Sequence, residues 1–124
     1  MATENILVVE DQYIIGMEIQ DRLEALGYNV LTTVVSGEEA IGKTKELMPD
    51  LILMDIQLNG KLDGIETAEI ITSEHKIPII YLTAYSDFQT LDRAKKIMDQ
   101  FFCLHKPFDE NELQLTIKQA LNLN

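Results

Sequence analysis

Five short, nearly continuous apolar runs, separated by segments of helical periodicity, constrain this chain more than any other feature. The runs are Ile6–Val9, Val30–Val35, Leu51–Met54, Ile79–Leu82 and Phe101–Leu104, each of strand length and rich in branched or aromatic side chains. Runs of this kind belong to strands buried on both faces, the situation of a parallel sheet. Between the runs, apolar or small residues recur three or four apart: Ile15, Ile19, Leu23 and Leu26; Ala40, Thr44 and Leu47; Ile65, Ala68 and Ile71; Leu91, Ala94 and Met98. A last such segment carries Leu113, Ile117, Ala120 and Leu121. Strict alternation of strand and helix predicts an α/β fold, a (βα)5 doubly wound five-stranded parallel sheet with right-handed crossovers and helices on both faces.

Local start and stop signals agree with this phase. Ser36 with Glu39, Asp63 with Glu66, Ser86 with Gln89 and Asp109 with Glu112 each have the spacing of a capping box or its Asp variant. Asp11 precedes the first helical segment with Ile14 three residues on, so its carboxylate has no such partner and points to another use. Gly27 and Pro49 read as stops. Gly42, inside the second helix, costs about 1 kcal/mol relative to alanine.

With 124 residues the chain has the length of one domain, and a single domain over 1–124, standing alone, is the expectation. Ten Lys and Arg against 21 Asp and Glu give a net charge of −11. Such a field repels a phosphate backbone, so nucleic acid is not an expected partner. Cys103 is the only cysteine, which excludes an internal disulfide and a thiolate metal cluster and fits a reducing compartment. The start has no basic signal region, and no apolar run approaches the ~20 residues that span a bilayer; the expected location is cytoplasmic, with no membrane partner.

In an open parallel sheet, ligands bind beyond the carboxyl ends of the strands. At those ends stand Glu10 and Asp11, Asp55, Thr83, and His105 with Lys106. In the strand order 2-1-3-4-5 the third strand is central, and three carboxylates, a hydroxyl and an ammonium converge around Asp55. Each like-charge pair at ~4 Å costs about 4 kcal/mol at an effective dielectric near 20, and Lys106 supplies one compensating charge. Hard oxygen ligands with few protein contacts fit Mg2+, which shares its shell readily with a phosphoryl group. The chain has no nucleophile elbow, dinucleotide fingerprint, Walker loop or zincin motif. A carboxylate nucleophile remains: Asp55 attacks a phosphoryl donor, Mg2+ and Lys106 stabilise the transferring oxygens, and Thr83 donates its hydroxyl to one of them.

The pattern Val8-Val9-Glu10-Asp11, Leu53-Met54-Asp55-Ile56, Thr83-Ala84 and Lys106-Pro107-Phe108 resembles the receiver domain of two-component response regulators over essentially the whole chain. The resemblance implies a flavodoxin-like fold and phosphorylation of Asp55 by the phosphohistidine of a sensor histidine kinase. It further implies a signalling phosphoacceptor rather than an enzyme acting on other substrates, and a monomer or weak dimer. Asp11 would bind Mg2+ directly, Glu10 through water and Gln57 through its backbone carbonyl, and Gln57 and Tyr85 would flank the site. Cys103 stands where many members carry an aromatic residue, so the signal is expected to leave through Thr83 and the loop after it. Three other functions share parts of this pattern: a flavin mononucleotide carrier, a phosphatase with an aspartate nucleophile, and a docking module without chemistry. Glu10-Asp11-Gln12 would repel a flavin phosphate; Gln57 stands where the phosphatase needs a second acid; and a docking module has no use for Asp55, Thr83 and Lys106 together. His75 and His105 fit surface or packing residues, and Asn59-Gly60 and Asp63-Gly64 fit turn chemistry.

Overall fold

A computed structural model describes residues 3–84, 89, 92–93, 95 and 102–122. Its elements are β1 (Asn5–Val9), α1 (Tyr13–Ala25), β2 (Asn29–Val34), α2 (Gly37–Leu47), β3 (Leu51–Asp55), α3 (Gly64–Glu74), β4 (Ile79–Thr83), β5 (Phe102–His105) and α4 (Glu110–Asn122). The strands form one parallel sheet in the order β2-β1-β3-β4-β5, as the alternation of elements requires. Gln89, Asp92, Arg93 and Lys95 are helical, in keeping with the fourth periodic segment. The expected cap at Ser86, the apolar positions Leu91, Ala94 and Met98, and Tyr85 and Phe101 lie outside the described residues.

Side chains alternate across the pleat and divide the core into two layers. Leu7, Val9, Ile52, Met54 and Tyr81 face Ala40 of α2 and Ile65, Ala68 and Ile71 of α3. Ile6, Val8, Leu53, Ile80, Leu82 and Leu104 face Ile19 and Leu23 of α1 and Leu113, Ile117 and Ala120 of α4. Burial on both sheet faces explains why the strands lack a polar–apolar alternation. β5 follows the same rule, with Cys103 against the first layer and Phe102 and Leu104 in the second. The pairing of β1 with β2 shifts between Ile6 and Leu7, whose partners are Val30 and Thr32; Leu31 is skipped.

Three of the four capping boxes lie within the described residues, and each caps its helix. Asp63 and Glu66 exchange side-chain-to-backbone hydrogen bonds in both directions. Ser36 accepts from the Glu39 N–H and Asp109 from the Glu112 N–H. At α1 the N-cap is Gln12, without a side-chain cap bond, which leaves the Asp11 carboxylate free of that duty. Gly27 ends α1 at φ 95°, a region that an L side chain enters only under strain. The second helix departs from expectation at its end. Its C-cap is Met48, a non-glycine residue at φ 48°, and Leu47 beside it is 36% exposed, so the apolar stripe stops at Thr44.

Gly42 sits on the exposed side of α2, and a Cβ built there meets nothing within 4 Å. Gly42→Ala is therefore expected to stabilise the protein by about 0.5–1 kcal/mol through helix propensity and unfolded-state entropy alone. Thermal unfolding should show a midpoint raised by about 3 °C. A lowered midpoint would mean that the helix surface is already in contact there.

Candidate functional site

Glu10, Asp11, Asp55, Thr83 and Lys106 all lie at the carboxyl end of the sheet, with Gln57 two residues past the end of β3. Asp55 closes β3 and Thr83 closes β4, while Glu10 follows β1 and Lys106 follows β5. Backbone bonds continue the sheet one residue past β1, β3 and β5: Glu10 N–H donates to Val34 O at 2.9 Å, Ile56 N–H to Leu82 O at 3.2 Å, and Lys106 N–H to Thr83 O at 2.8 Å. The functional side chains thus project from backbone still held by the ladder, which fixes their origins before any side-chain contact is made.

Glu10, Asp11 and Asp55 each bring a carboxylate oxygen within 4.8 Å of the other two. Lys106 Nζ lies 3.3 Å from both Glu10 Oε2 and Asp55 Oδ2. The remaining oxygens of the two buried carboxylates accept from the chain: Glu10 Oε1 from the Gln12 N–H at 3.1 Å and Asp55 Oδ1 from the Gln57 N–H at 3.3 Å. One ammonium thus faces three acids. Burial, reinforced by the neighbouring Asp55 charge, pushes the Glu10 carboxyl up to about 7, although the Gln12 N–H and Lys106 pull the other way. Burial would lower the Lys106 pKa, but the Asp55 and Glu10 carboxylates outweigh it and hold the ammonium above its ordinary value. Lys106 is therefore charged across the physiological range.

Glu10 gives the metal-free protein a pH dependence of defined sign. A carboxyl that titrates higher in the folded state binds more protons there than in the unfolded chain, so its contribution to stability is lost as pH rises from about 4.5 to 7. In excess EDTA the unfolding free energy should fall by up to about 3 kcal/mol over that window. Glu10→Gln should flatten the fall. A profile indifferent to that substitution would place the proton uptake elsewhere.

Thr83 is fully buried, and its Oγ1 has no hydrogen-bond partner among the described residues. A buried hydroxyl without a partner costs about 1–3 kcal/mol, and this one stands at the end of β4, the strand that pairs with β3 and its terminal Asp55. A divalent cation fits the donor set: oxygen ligands of high charge density, partly exposed at Asp11, with excess negative charge to neutralise. His75 and His105 stand outside this carboxylate cluster. Cys103 is half-buried, and burial pushes its thiol up, away from reactivity.

Two contributors were not legible in the sequence. A Cβ on Gly64 would collide with the Asp55 carbonyl oxygen and come within 2.9 Å of Ile56 Cα, so α3 begins in direct contact with the backbone that carries Asp55. Asp63-Gly64 is therefore more than a turn, and the one available signal was glycine directly after a capping residue. The other is Arg22, whose guanidinium reaches the Phe108 carbonyl 86 residues away, a contact no local pattern announces.

Comparison with known proteins adds an independent line. A family model described as the response regulator receiver domain matches residues 6–118. The chain is 35% identical over 123 residues to the phyllosphere-induced regulator PhyR of Methylorubrum extorquens, covering 98% of this chain and 44% of PhyR. It is 32% identical over 117 residues to the transcriptional regulatory protein PdtaR of Mycobacterium tuberculosis, covering 94% of this chain and 56% of that protein. The chain thus spans about half the length of these relatives. Among solved structures, the signal receiver domain of a modulated diguanylate cyclase from Desulfovibrio desulfuricans superposes with a TM-score of 0.91 at 37% identity, covering 98% of this chain and 96% of that one. The receiver domain of Erythrobacter litoralis PhyR gives 0.86 at 31% identity, covering 100% and 94%.

Proposed function

Because the chain belongs to the response regulator receiver domain family of two-component signalling, we propose that Asp55 is its phosphoacceptor, charged by the phosphohistidine of a sensor histidine kinase in a Mg2+-dependent reaction. Receivers are signalling phosphoacceptors rather than enzymes that turn over an external substrate, and histidine kinases are the partners of the family. The observation that carries the assignment is the setting of Asp55: a carboxylate at the end of the central strand, held between the Lys106 ammonium and the Gln57 N–H beside two further acids.

Asp55 attacks the phosphorus through one carboxylate oxygen. The bond from phosphorus to the histidine nitrogen breaks, and the imidazole leaves with the electron pair. Glu10, Asp11, Asp55 and the Gln57 carbonyl would hold Mg2+, which when bound neutralises charge on the transferring phosphoryl oxygens. Lys106 exchanges a carboxylate partner for a phosphoryl oxygen without leaving its place at the end of β5. The Thr83 hydroxyl, without a partner among the described residues, gains a phosphoryl acceptor, and its donation draws the chain after β4 toward the site. Gln57, exposed next to Asp55, and Tyr85 would set the access of water and hence the lifetime of the phosphoryl group. The downstream partner is a protein rather than a nucleic acid, given the charge of −11.

The direct test is intact mass after incubation with acetyl phosphate and Mg2+. The wild type should gain one phosphoryl group, and Asp55→Asn, or wild type in excess EDTA, should gain none. Full labelling of Asp55→Asn would overturn the assignment, and steady hydrolysis of a generic phosphoester would restore the phosphatase reading.

A further inference from the structure

The loop that carries Lys106 is fastened in an unusual way. On its amino side the Lys106 N–H is bonded to Thr83 O of β4 at 2.8 Å. On its carboxyl side, two residues on, the Phe108 carbonyl accepts from Arg22 Nη1 of α1 at 2.8 Å. The same guanidinium lies over the Phe108 ring, 5.8 Å from its centroid, while Nη2 donates to Glu18 Oε1 at 3.0 Å one turn back along α1. A planar guanidinium held at both nitrogens and on its face has little freedom left, and that rigidity passes to what it holds. Phe108 also packs against the core layer that holds Ile19 and Leu23 of α1, but that packing is incomplete. Between α1 and the loop lies a cavity of about 140 Å3 lined by Ile15, Ile19, Arg22, Lys106, Pro107 and Phe108. The tether spans a gap that side chains leave open.

From this geometry we infer that Arg22 is a positioning residue for Lys106, pinning the loop after β5 to α1 so that the ammonium stays over Asp55. The consequence for phosphorylation rests on the phosphoacceptor reading; the tether itself does not. The carboxylates that would hold the divalent cation follow β1 or end β3, outside the tethered loop, so loss of Arg22 should not weaken cation binding. Acceptance of the phosphoryl group should suffer, because Lys106 no longer waits in place.

The test uses the full chain as Arg22→Ala and Arg22→Lys. In metal-free protein, residue-resolved amide hydrogen exchange should be about tenfold faster at Lys106 in Arg22→Ala, with Val8 and Leu53 unchanged, the mark of a local opening. Arg22→Lys, which keeps one cationic donor, should fall between. With acetyl phosphate, the maximal rate of labelling should drop about tenfold in Arg22→Ala, a typical penalty for a displaced reacting group. The half-saturating Mg2+ concentration should not rise, since the ligands stay in place and lose a competing ammonium. Unchanged exchange at Lys106, or acceleration shared by all core amides, overturns the tether. Local acceleration with an unchanged labelling rate overturns the positioning role. If the wild type takes no label while Lys106 exchange responds as described, the phosphoacceptor reading fails and the tether stands.

Discussion

Lys106→Met, studied without divalent cations, is expected to lose about 3 kcal/mol of stability at pH 8 and far less at pH 5. The ammonium lies 3.3 Å from two carboxylates whose side chains are 0% and 10% exposed. Its removal leaves like charges side by side in a poorly solvated place. At pH 5 the Glu10 carboxyl is protonated, since its pKa stands near 7, and the repulsion is absent. At pH 8 Glu10 must either ionise against Asp55 or hold its proton against the solvent, and both cost folding free energy. Lys106 itself keeps its charge throughout this range, so the contrast reports the acids. Methionine preserves the stem that covers neighbouring apolar surface, which separates charge from packing. Denaturant titration at the two pH values measures the effect, and Mg2+ should recover part of the loss at pH 8. Equal losses at both values would show that the stem, not the charge, matters.

Gly64→Ala is the second large effect, at about 3 kcal/mol of destabilisation. The added methyl would meet the Asp55 carbonyl oxygen, the Asp55 carbonyl carbon at 3.0 Å and Ile56 Cα at 2.9 Å, all backbone atoms that cannot rotate away. Either α3 lifts from the sheet, losing the contacts of Ile65 and Ala68, or the end of β3 bends and moves Asp55. The Gly64 N–H also donates to Ile56 O at 2.8 Å, so helix start and strand end are bonded as well as in contact. Acetyl phosphate labelling should fall with stability. A variant as stable as wild type would mean that the turn has slack the contact distances do not show.

The parts of this molecule that a sequence reveals are those set by local chemistry or by periodicity. Asp63 and Glu66 announce a helix start because both partners lie within one turn. The run Leu51–Met54 announces a buried strand because every position is apolar. The polar residues that end these runs were legible as a cluster once the strand order brought their ends together. What the sequence hid are contacts with no local cause: Arg22 with Phe108, Gly64 with the Asp55 backbone, and the salt bridge at 2.7 Å between Arg93 and Asp63, 30 residues apart. Leu47 keeps the apolar spacing yet stands outside the core, because the last turn of α2 ends at the left-handed Met48. The raised pKa of Glu10 was also hidden, since it depends on burial beside Asp55 rather than on residue type.

The turn at Gly27 has a practical meaning for anyone who wants to watch this molecule work. It joins α1 to β2 at the amino ends of the strands, a full sheet length from Asp55, and its φ of 95° reserves the position itself for glycine. A fluorophore attached instead at the exposed Ala25, the last residue of α1, stands clear of the acids and of the Lys106 loop, while the two layers beneath keep it in rigid register with them. Handles of this kind belong at the quiet pole of the sheet, where the chain turns without doing chemistry.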